Sequence, residues 1–78
     1  MAQLIIKMET IRKSYQVDKS RISYIRWIVE SYDGMAIVST IDPIDGIIEL
    51  KIAPGCEVLA SELIHSLRVD EGIKLNPI

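Results

Sequence analysis

Hydrophobic and polar residues alternate in four segments of the chain, and an alternation with a period of two is typical of β-strands that bury one face. The segments are residues 3–13, 35–42, 47–53 and 73–78. They are rich in isoleucine and valine, whose branched side chains favour strands. The pattern therefore predicts four strands.

The phase of the alternation changes near the N-terminus. Hydrophobic residues of one phase are followed by those of the other: first Leu4, Ile6 and Met8, then Ile11, Tyr15 and Val17. A β-bulge near Glu9–Thr10, or a break in the strand, would reconcile the two phases. Both alternatives are compatible with the pattern.

Two further segments repeat hydrophobic residues at intervals of three and four, which predicts amphipathic helices over residues 19–32 and 56–69. Their hydrophobic sides are Ile22, Ile25, Ile28, Val29 and Tyr32 in the first helix, and Leu59, Ala60, Leu63, Ile64 and Leu67 in the second. Asp18 or Ser20 is expected to cap the first helix by accepting a hydrogen bond from an amide in its first turn. Gly34 is expected to end the first helix and Gly72 the second.

The stretch TIDPIDG, residues 40–46, predicts the loop of a β-hairpin. Proline early in the loop, aspartate beside it and glycine at a positive φ suit a four-residue loop built on a type I turn. If Asp42 faces Ile47, the hydrophobic face pairs Ile41 with Ile48, Ser39 with Leu50, and Ile37 with Ile52. The opposite face then pairs Thr40 with Glu49 and Val38 with Lys51. This register predicts that Ile37 and Ile41 are buried and that Val38 faces outward.

Asp42 and Asp45 raise the question of a metal or catalytic site. A calcium loop needs several more oxygen ligands at regular spacing, and the neighbouring residues do not supply them. Asp42 can instead accept bonds from backbone amides in an Asx-type turn. The two aspartates are therefore interpreted as turn residues, and no metal site is predicted.

The predicted elements follow one another as β-α-β-β-α-β within a single domain, residues 1–78. Two helices on one face of a four-stranded antiparallel sheet form a two-layer α+β sandwich, the ferredoxin-like arrangement. Right-handed β-α-β connections in such a sandwich place the first and third strands in the centre of the sheet.

Charge and composition argue against several classes of function. The net charge is −2 with both signs interspersed, so no basic surface for nucleic acid or an anionic membrane is expected. No hydrophobic stretch is long enough for a signal peptide or a membrane span, which makes the cytoplasm the expected location. The single cysteine excludes an internal disulfide and a two-cysteine metal motif.

Hydrophobic residues are abundant for so short a chain. They make up 49% of the 78 residues, and 15 of them are isoleucine. A domain of this size buries only about 60% of the surface that its unfolded chain exposes. Some hydrophobic surface is therefore expected to remain exposed or to meet another subunit. This predicts self-association, with a dimer as the expected form.

The stretch VDKSRISYIRWIVESYDGMAIVSTIDPIDGIIELKI resembles a small bacterial family classed only as a domain of unknown function. The resemblance covers about residues 17–70 and consists of an isoleucine-rich helix, a Tyr-Asp-Gly stop and a Thr-x-Asp-Pro hairpin. The order and size of the elements also resemble the ACT domain, a regulatory module that binds amino acids at subunit interfaces. That resemblance implies a ligand site in the loop Asp18, Lys19, Ser20 and Arg21, where Arg21 replaces the glycine usual in ACT domains.

Aromatic residues on the first helix are candidates for contact with a partner or a ligand. Trp27 projects about 150° from the centre of the hydrophobic side, and Tyr24 lies on the same side as Trp27. Such rings anchor interfaces because they bury a large area and keep a polar group. Trp27 could instead fold over a neighbouring loop. Outward-facing strand residues are further interface candidates: Val38, Ile47 and Lys51.

Cys56 and His65 are the residues with catalytic potential. Cys56 stands at the start of the second helix, where the helix dipole favours a reactive thiolate. It also projects towards the hydrophobic side of that helix, which favours an inert, buried thiol. His65 falls on the solvent side with Glu62 one turn away and no nucleophile nearby, which favours a surface pair over a catalytic base.

The sequence thus predicts a non-catalytic binding or interaction module that self-associates as a dimer and needs no cofactor. A small-molecule ligand at residues 18–21 is one form of that function. The alternative is a small thiol-dependent enzyme or redox factor that uses Cys56.

Overall fold

The computed structural model describes residues 10–78, which contain four strands and two α-helices. In chain order these are β1 (Ile11–Val17), α1 (Ile22–Glu30), β2 (Ala36–Asp42), β3 (Ile47–Ile52), α2 (Glu57–Val69) and β4 (Leu75–Pro77). A 3-10 turn, Lys19–Arg21, leads into α1. The expectations for Leu4, Ile6 and Met8, and for a bulge or break near Glu9–Thr10, fall on a segment that lies almost entirely outside the described residues.

The four strands form one antiparallel sheet in the order β2-β3-β1-β4. The predicted α+β sandwich is confirmed, as is the central position of the first and third strands. Both helices contribute to a single hydrophobic core on one face of the sheet. Its largest fully buried side chains are Ile25, Val29, Met35, Ile48, Leu50, Leu67 and Leu75.

The hairpin between β2 and β3 has the predicted turn. The Oδ1 atom of Asp42 accepts hydrogen bonds from the amides of Ile44, at 2.9 Å, and Asp45, at 3.1 Å. These bonds stabilise the carboxylate and lower the pKa of Asp42 below its ordinary value. The predicted pairing of Asp42 with Ile47 is also confirmed.

The predicted register beyond that pair is wrong by one residue. A β-bulge between Thr40 and Asp42 leaves Ile41 without a partner, so that Val38 pairs with Leu50 and Ile37 pairs with Lys51. Because neighbouring side chains of a strand point to opposite faces, the extra residue exchanges the two faces of β2. Val38 is therefore buried, with 4% of its surface exposed, and its predicted outward orientation is wrong.

The bulge places two isoleucines in solvent. Ile37 is 60% exposed and Ile41 is 57% exposed, whereas both were predicted to be buried. The smaller side chains of Ala36 and Val38 occupy the core positions of β2, the strand against which α1 packs. Small residues at these positions allow the helix to approach the sheet closely.

Several details at the helices also differ from the predictions. Neither Asp18 nor Ser20 caps α1 with its side chain; the carbonyl of Asp18 instead accepts the amide of Arg21 at 2.8 Å and closes the 3-10 turn. Tyr32 and Leu59 were placed on hydrophobic sides, but both are exposed. Within residues 10–78, neither helix combines the length and hydrophobicity needed to cross a bilayer.

Candidate functional site

The loop Asp18–Arg21 forms the exposed 3-10 turn between β1 and α1. Its four residues lie together on the surface, and the amide of Arg21 is occupied by the carbonyl of Asp18. None of these four residues lines any of the three surface depressions described below for residues 10–78. A ligand at this loop stays a prediction.

The outer side of α1 carries the aromatic pair predicted from the sequence. Trp27 is 67% exposed, and its ring centre lies 6.4 Å from that of Tyr24. The Tyr24 hydroxyl donates a hydrogen bond to Oε1 of Glu71 at 2.6 Å, which ties α1 to the segment after α2. This bond raises the pKa of Tyr24. Tyr24 is thus held in place, whereas most of the Trp27 side chain faces solvent.

Large hydrophobic side chains surround the edge strand β2. Ile37 and Ile41 lie on β2, Trp27 lies on α1, which packs against β2, and Tyr32 follows α1. All four are exposed, and we call the group Trp27, Tyr32, Ile37 and Ile41 the β2 surface. The sequence identified Trp27 as a candidate, but it missed the two isoleucines because the bulge reverses their side of the strand.

Polar bonds join α1 to β2, which is an edge strand of the sheet that residues 10–78 form. The Glu30 carboxylate accepts the amide of Val38 at 3.0 Å, and Nη2 of Arg26 donates to Oγ1 of Thr40 at 3.2 Å. The Val38 amide would otherwise be free to pair with another strand. A partner at this edge therefore meets side chains before it meets backbone.

The other two interface candidates from the strands lie on β3. Ile47 and Lys51 are half-buried and alternate with the buried residues Ile48, Leu50 and Ile52. Their outward orientation agrees with the prediction. Lys51 lies next to Ile37 and lines the same depression, of about 600 Å³, as Tyr32.

A cleft of about 570 Å³ opens between β1 and α2, on the side of the sheet edged by β4. Its floor consists of the buried residues Tyr15, Ile52, Ala60 and Ile64, and Pro77 and Ile78 are its exposed hydrophobic residues. Its polar rim includes Arg12, Lys13, Ser61, His65 and Arg68. None of the described residues that line the cleft is acidic. We call this site the β1–α2 cleft.

Arg68 is held in a fixed position at the rim of the β1–α2 cleft. Its Nε and Nη2 atoms both donate to the carbonyl of Leu75, at 2.8 and 2.6 Å, and its guanidinium lies 5.8 Å from the centre of the Tyr15 ring. Burial raises the pKa of Tyr15, and the charge of Arg68 partly opposes that rise. Tyr15 therefore stays a neutral phenol at physiological pH.

The two residues with catalytic potential are far apart on α2. Cys56 occupies the N-cap position, is half-buried and packs against the core, whereas His65 is exposed. Nine residues of helix separate them by about 13 Å along the axis. His65 lies on the solvent side as predicted. Residues 10–78 contain no group of three or more side chains arranged to hold a metal ion.

Comparison with known proteins places the chain in a family. A family model matches residues 15–70, a range that includes α1, the hairpin and α2. The chain belongs to the family described as a domain of unknown function, DUF4911. The comparisons with curated proteins and with solved structures yield no match. The predicted resemblance to a family of unknown function is thus confirmed, and the DUF4911 description assigns no activity.

Proposed function

We propose that this DUF4911 domain is a non-catalytic binding module that self-associates as a dimer through its β2 surface. The observation that supports the proposal is the exposure of four large hydrophobic side chains on and beside one edge strand. Exposed hydrophobic groups of this kind mark interaction sites on soluble domains.

Three of the four hydrophobic side chains line two neighbouring depressions that share Glu30. Tyr32 and Ile37 line one depression, Trp27 lines the next, and Glu30 lines both. Ile41 lies four residues beyond Ile37 on the same edge strand. Aromatic residues at the centre of such a patch contribute most of the binding energy at protein interfaces.

A second copy of the chain is the partner that fits this surface. Glu30 and Lys51 line the same depression, so the surface carries both a negative and a positive group beside its hydrophobic residues. A twofold axis places the same patch of each subunit against its own copy, so in the proposed dimer Glu30 of one subunit faces the partner's Lys51. The contact is made by side chains, because Glu30 already occupies the Val38 amide.

The position of the reactive side chains supports a role without catalysis. A histidine must lie within hydrogen-bond reach of a thiol in order to activate it, and the helical separation of Cys56 and His65 far exceeds that reach. Cys56 also contacts the hydrophobic core. It is therefore best explained as a packing residue.

Sedimentation velocity over a range of protein concentrations tests the proposal. The full chain is expected to sediment with twice its mass of 8.8 kDa. Ile37→Asp is expected to yield a folded monomer, because the side chain is 60% exposed and the aspartate would be buried only in the dimer. A monomeric wild-type protein at millimolar concentration would contradict the proposal.

The matched control is Ile44→Asp. Ile44 is 78% exposed in the hairpin loop, outside the β2 surface, so the same substitution is expected to leave the dimer intact. Equal loss of the dimer in both variants would count against the β2 surface. Cys56→Ala, measured without reductant, is expected to sediment as the wild type does, since the dimer does not depend on a disulfide.

A further inference from the structure

We propose that the β1–α2 cleft binds a small molecule that carries a carboxylate or phosphate group on an apolar body. The cleft lies on the β1–β4 side of the sheet, whereas the proposed dimer forms at the opposite edge, β2. The two proposals are therefore independent.

Arg68 supplies an anchor for the anionic group. Its guanidinium has five N–H groups, and the bonds to Leu75 use two of them. The planar fork suits carboxylate and phosphate oxygens, and its contacts with Leu75 and Tyr15 hold it before a ligand arrives. A positioned group loses less conformational entropy on binding than a mobile one.

Lys13 adds a further positive charge from the side of β1 that faces the core, where lysine is unusual. It pairs with Leu50 in the sheet, and strand alternation puts it on the same face as Tyr15, the face that carries the core. Lys13 is nevertheless exposed, and it lines the cleft between β1 and α2. It points its charge to the region where Arg68 and His65 also lie.

The local charge is opposite to that of the whole protein. The chain has 11 acidic residues and a net charge of −2, yet none of the described residues around the cleft is acidic. An acidic protein that collects Lys13 and Arg68 at one concave site attracts anions there selectively.

The walls and size of the cleft define the rest of the ligand. Pro77 and Ile78 are exposed and offer apolar contacts above a floor of Ile52, Ala60 and Ile64, which are at most 4% exposed. Ser61 and the Tyr15 phenol offer hydrogen bonds. A volume of about 570 Å³ is within the range of sites for small molecules. An inorganic ion alone would leave the apolar part of the site unused.

Amide NMR of the full chain, titrated with hexanoate and hexyl phosphate, tests this proposal. Both probes combine an oxyanion with an apolar tail, and hexan-1-ol is the neutral control. Shifts are expected at Lys13, Ser61, His65 and Arg68, with hexan-1-ol binding at least about tenfold more weakly. The tighter of the two anions distinguishes a carboxylate from a phosphate ligand. The absence of shifts at the cleft, or equal binding of the alcohol, would overturn the proposal.

Variants at exposed lysines locate the site. Lys13→Gln is expected to weaken hexanoate binding about tenfold, whereas Lys74→Gln, at an exposed lysine that does not line the cleft, leaves it unchanged. If Lys19→Gln has the effect expected of Lys13→Gln, the anion binds at the loop 18–21 and the cleft is the wrong site. Ile37→Asp is expected to bind hexanoate normally, which separates this test from that of the dimer.

Discussion

Gly46, in the loop between β2 and β3, lies directly against Val17, the last residue of β1. The Val17 amide donates to the Gly46 carbonyl at 2.7 Å, and a Cβ atom on Gly46 would overlap the Val17 carbonyl. Gly46 also has a φ of +71°, a conformation that other residues rarely adopt. This contact joins the hairpin loop to the end of β1.

Gly46→Ala is expected to destabilise the domain by roughly 2–4 kcal/mol, since the left-handed backbone and the overlap with Val17 both oppose a side chain. The control is Gly34→Ala, which has a φ of +72° but no atom within 4 Å of the added Cβ. It is expected to cost only about 1–2 kcal/mol. Urea unfolding measures both values, and equal costs would show that the contact with Val17 is unimportant.

Because the two faces of β2 are exchanged, truncating Val38 and truncating Ile37 are expected to have different effects on stability. Val38→Ala is expected to lower the free energy of unfolding by about 1–3 kcal/mol, because it leaves a cavity in the core. Ile37→Ala removes more side chain, but at low protein concentration it is expected to change stability by no more than about 0.5 kcal/mol. The reverse ranking in urea unfolding would mean that Ile37 faces the core.

Asp42 is expected to make the domain sensitive to acid. Its pKa is lowered in the folded protein, so the carboxylate stabilises the fold at pH values above its unfolded pKa, near 3.8. That stabilisation is lost as the pH falls through the lower, folded pKa. Asp42→Asn keeps the Oδ1 acceptor for Ile44 and Asp45 but does not titrate. Thermal unfolding between pH 5 and about pH 2 is expected to show a steeper loss of stability in the wild type than in the variant, and identical profiles would contradict this.

Glu30 protects β2, an edge strand of the described sheet. Glu30→Ala leaves the Val38 amide without its carboxylate partner, which is expected to cost about 1 kcal/mol and to expose an edge strand to pairing with other chains. Light scattering on heating is expected to show faster aggregation. Glu30→Gln retains an acceptor oxygen and is expected to aggregate more slowly than Glu30→Ala. If the two variants aggregate equally fast, the bond to Val38 does not guard the edge.

Local signals in the sequence were sufficient to predict most of the architecture. The isoleucine periodicity of α1 and the Asp-Pro-x-Asp-Gly loop each specify an element within a few residues. The direction of the β2 side chains was beyond such signals, because both phases of MAIVSTID contain hydrophobic residues. The bulge at Ile41 and the packing of α1 decide between the phases, and both depend on tertiary contacts.

The candidate sites also divide into one that local sequence predicts and one that depends on tertiary contacts. Trp27 was recognised because its exposure follows from helical geometry alone. The β1–α2 cleft was missed, since Lys13 and Arg68 lie on different elements at opposite ends of the chain. In the sequence, Arg68 is already explained as a positive charge that interacts favourably with the C-terminal end of the helix dipole, so nothing indicated a binding role. Its bonds to Leu75 and its contact with Tyr15 require the fold.

Cross-strand nuclear Overhauser effects between β2 and β3 test most directly whether the bulge places Ile37 and Ile41 outside the core. The structure predicts that the backbone of Val38 lies opposite that of Leu50 and that Ile37 lies opposite Lys51. Contacts of Ile37 with Ile52, and of Ile41 with Ile48, would contradict this. That register would turn both isoleucines towards the helices and remove the β2 surface through which the domain is proposed to dimerise.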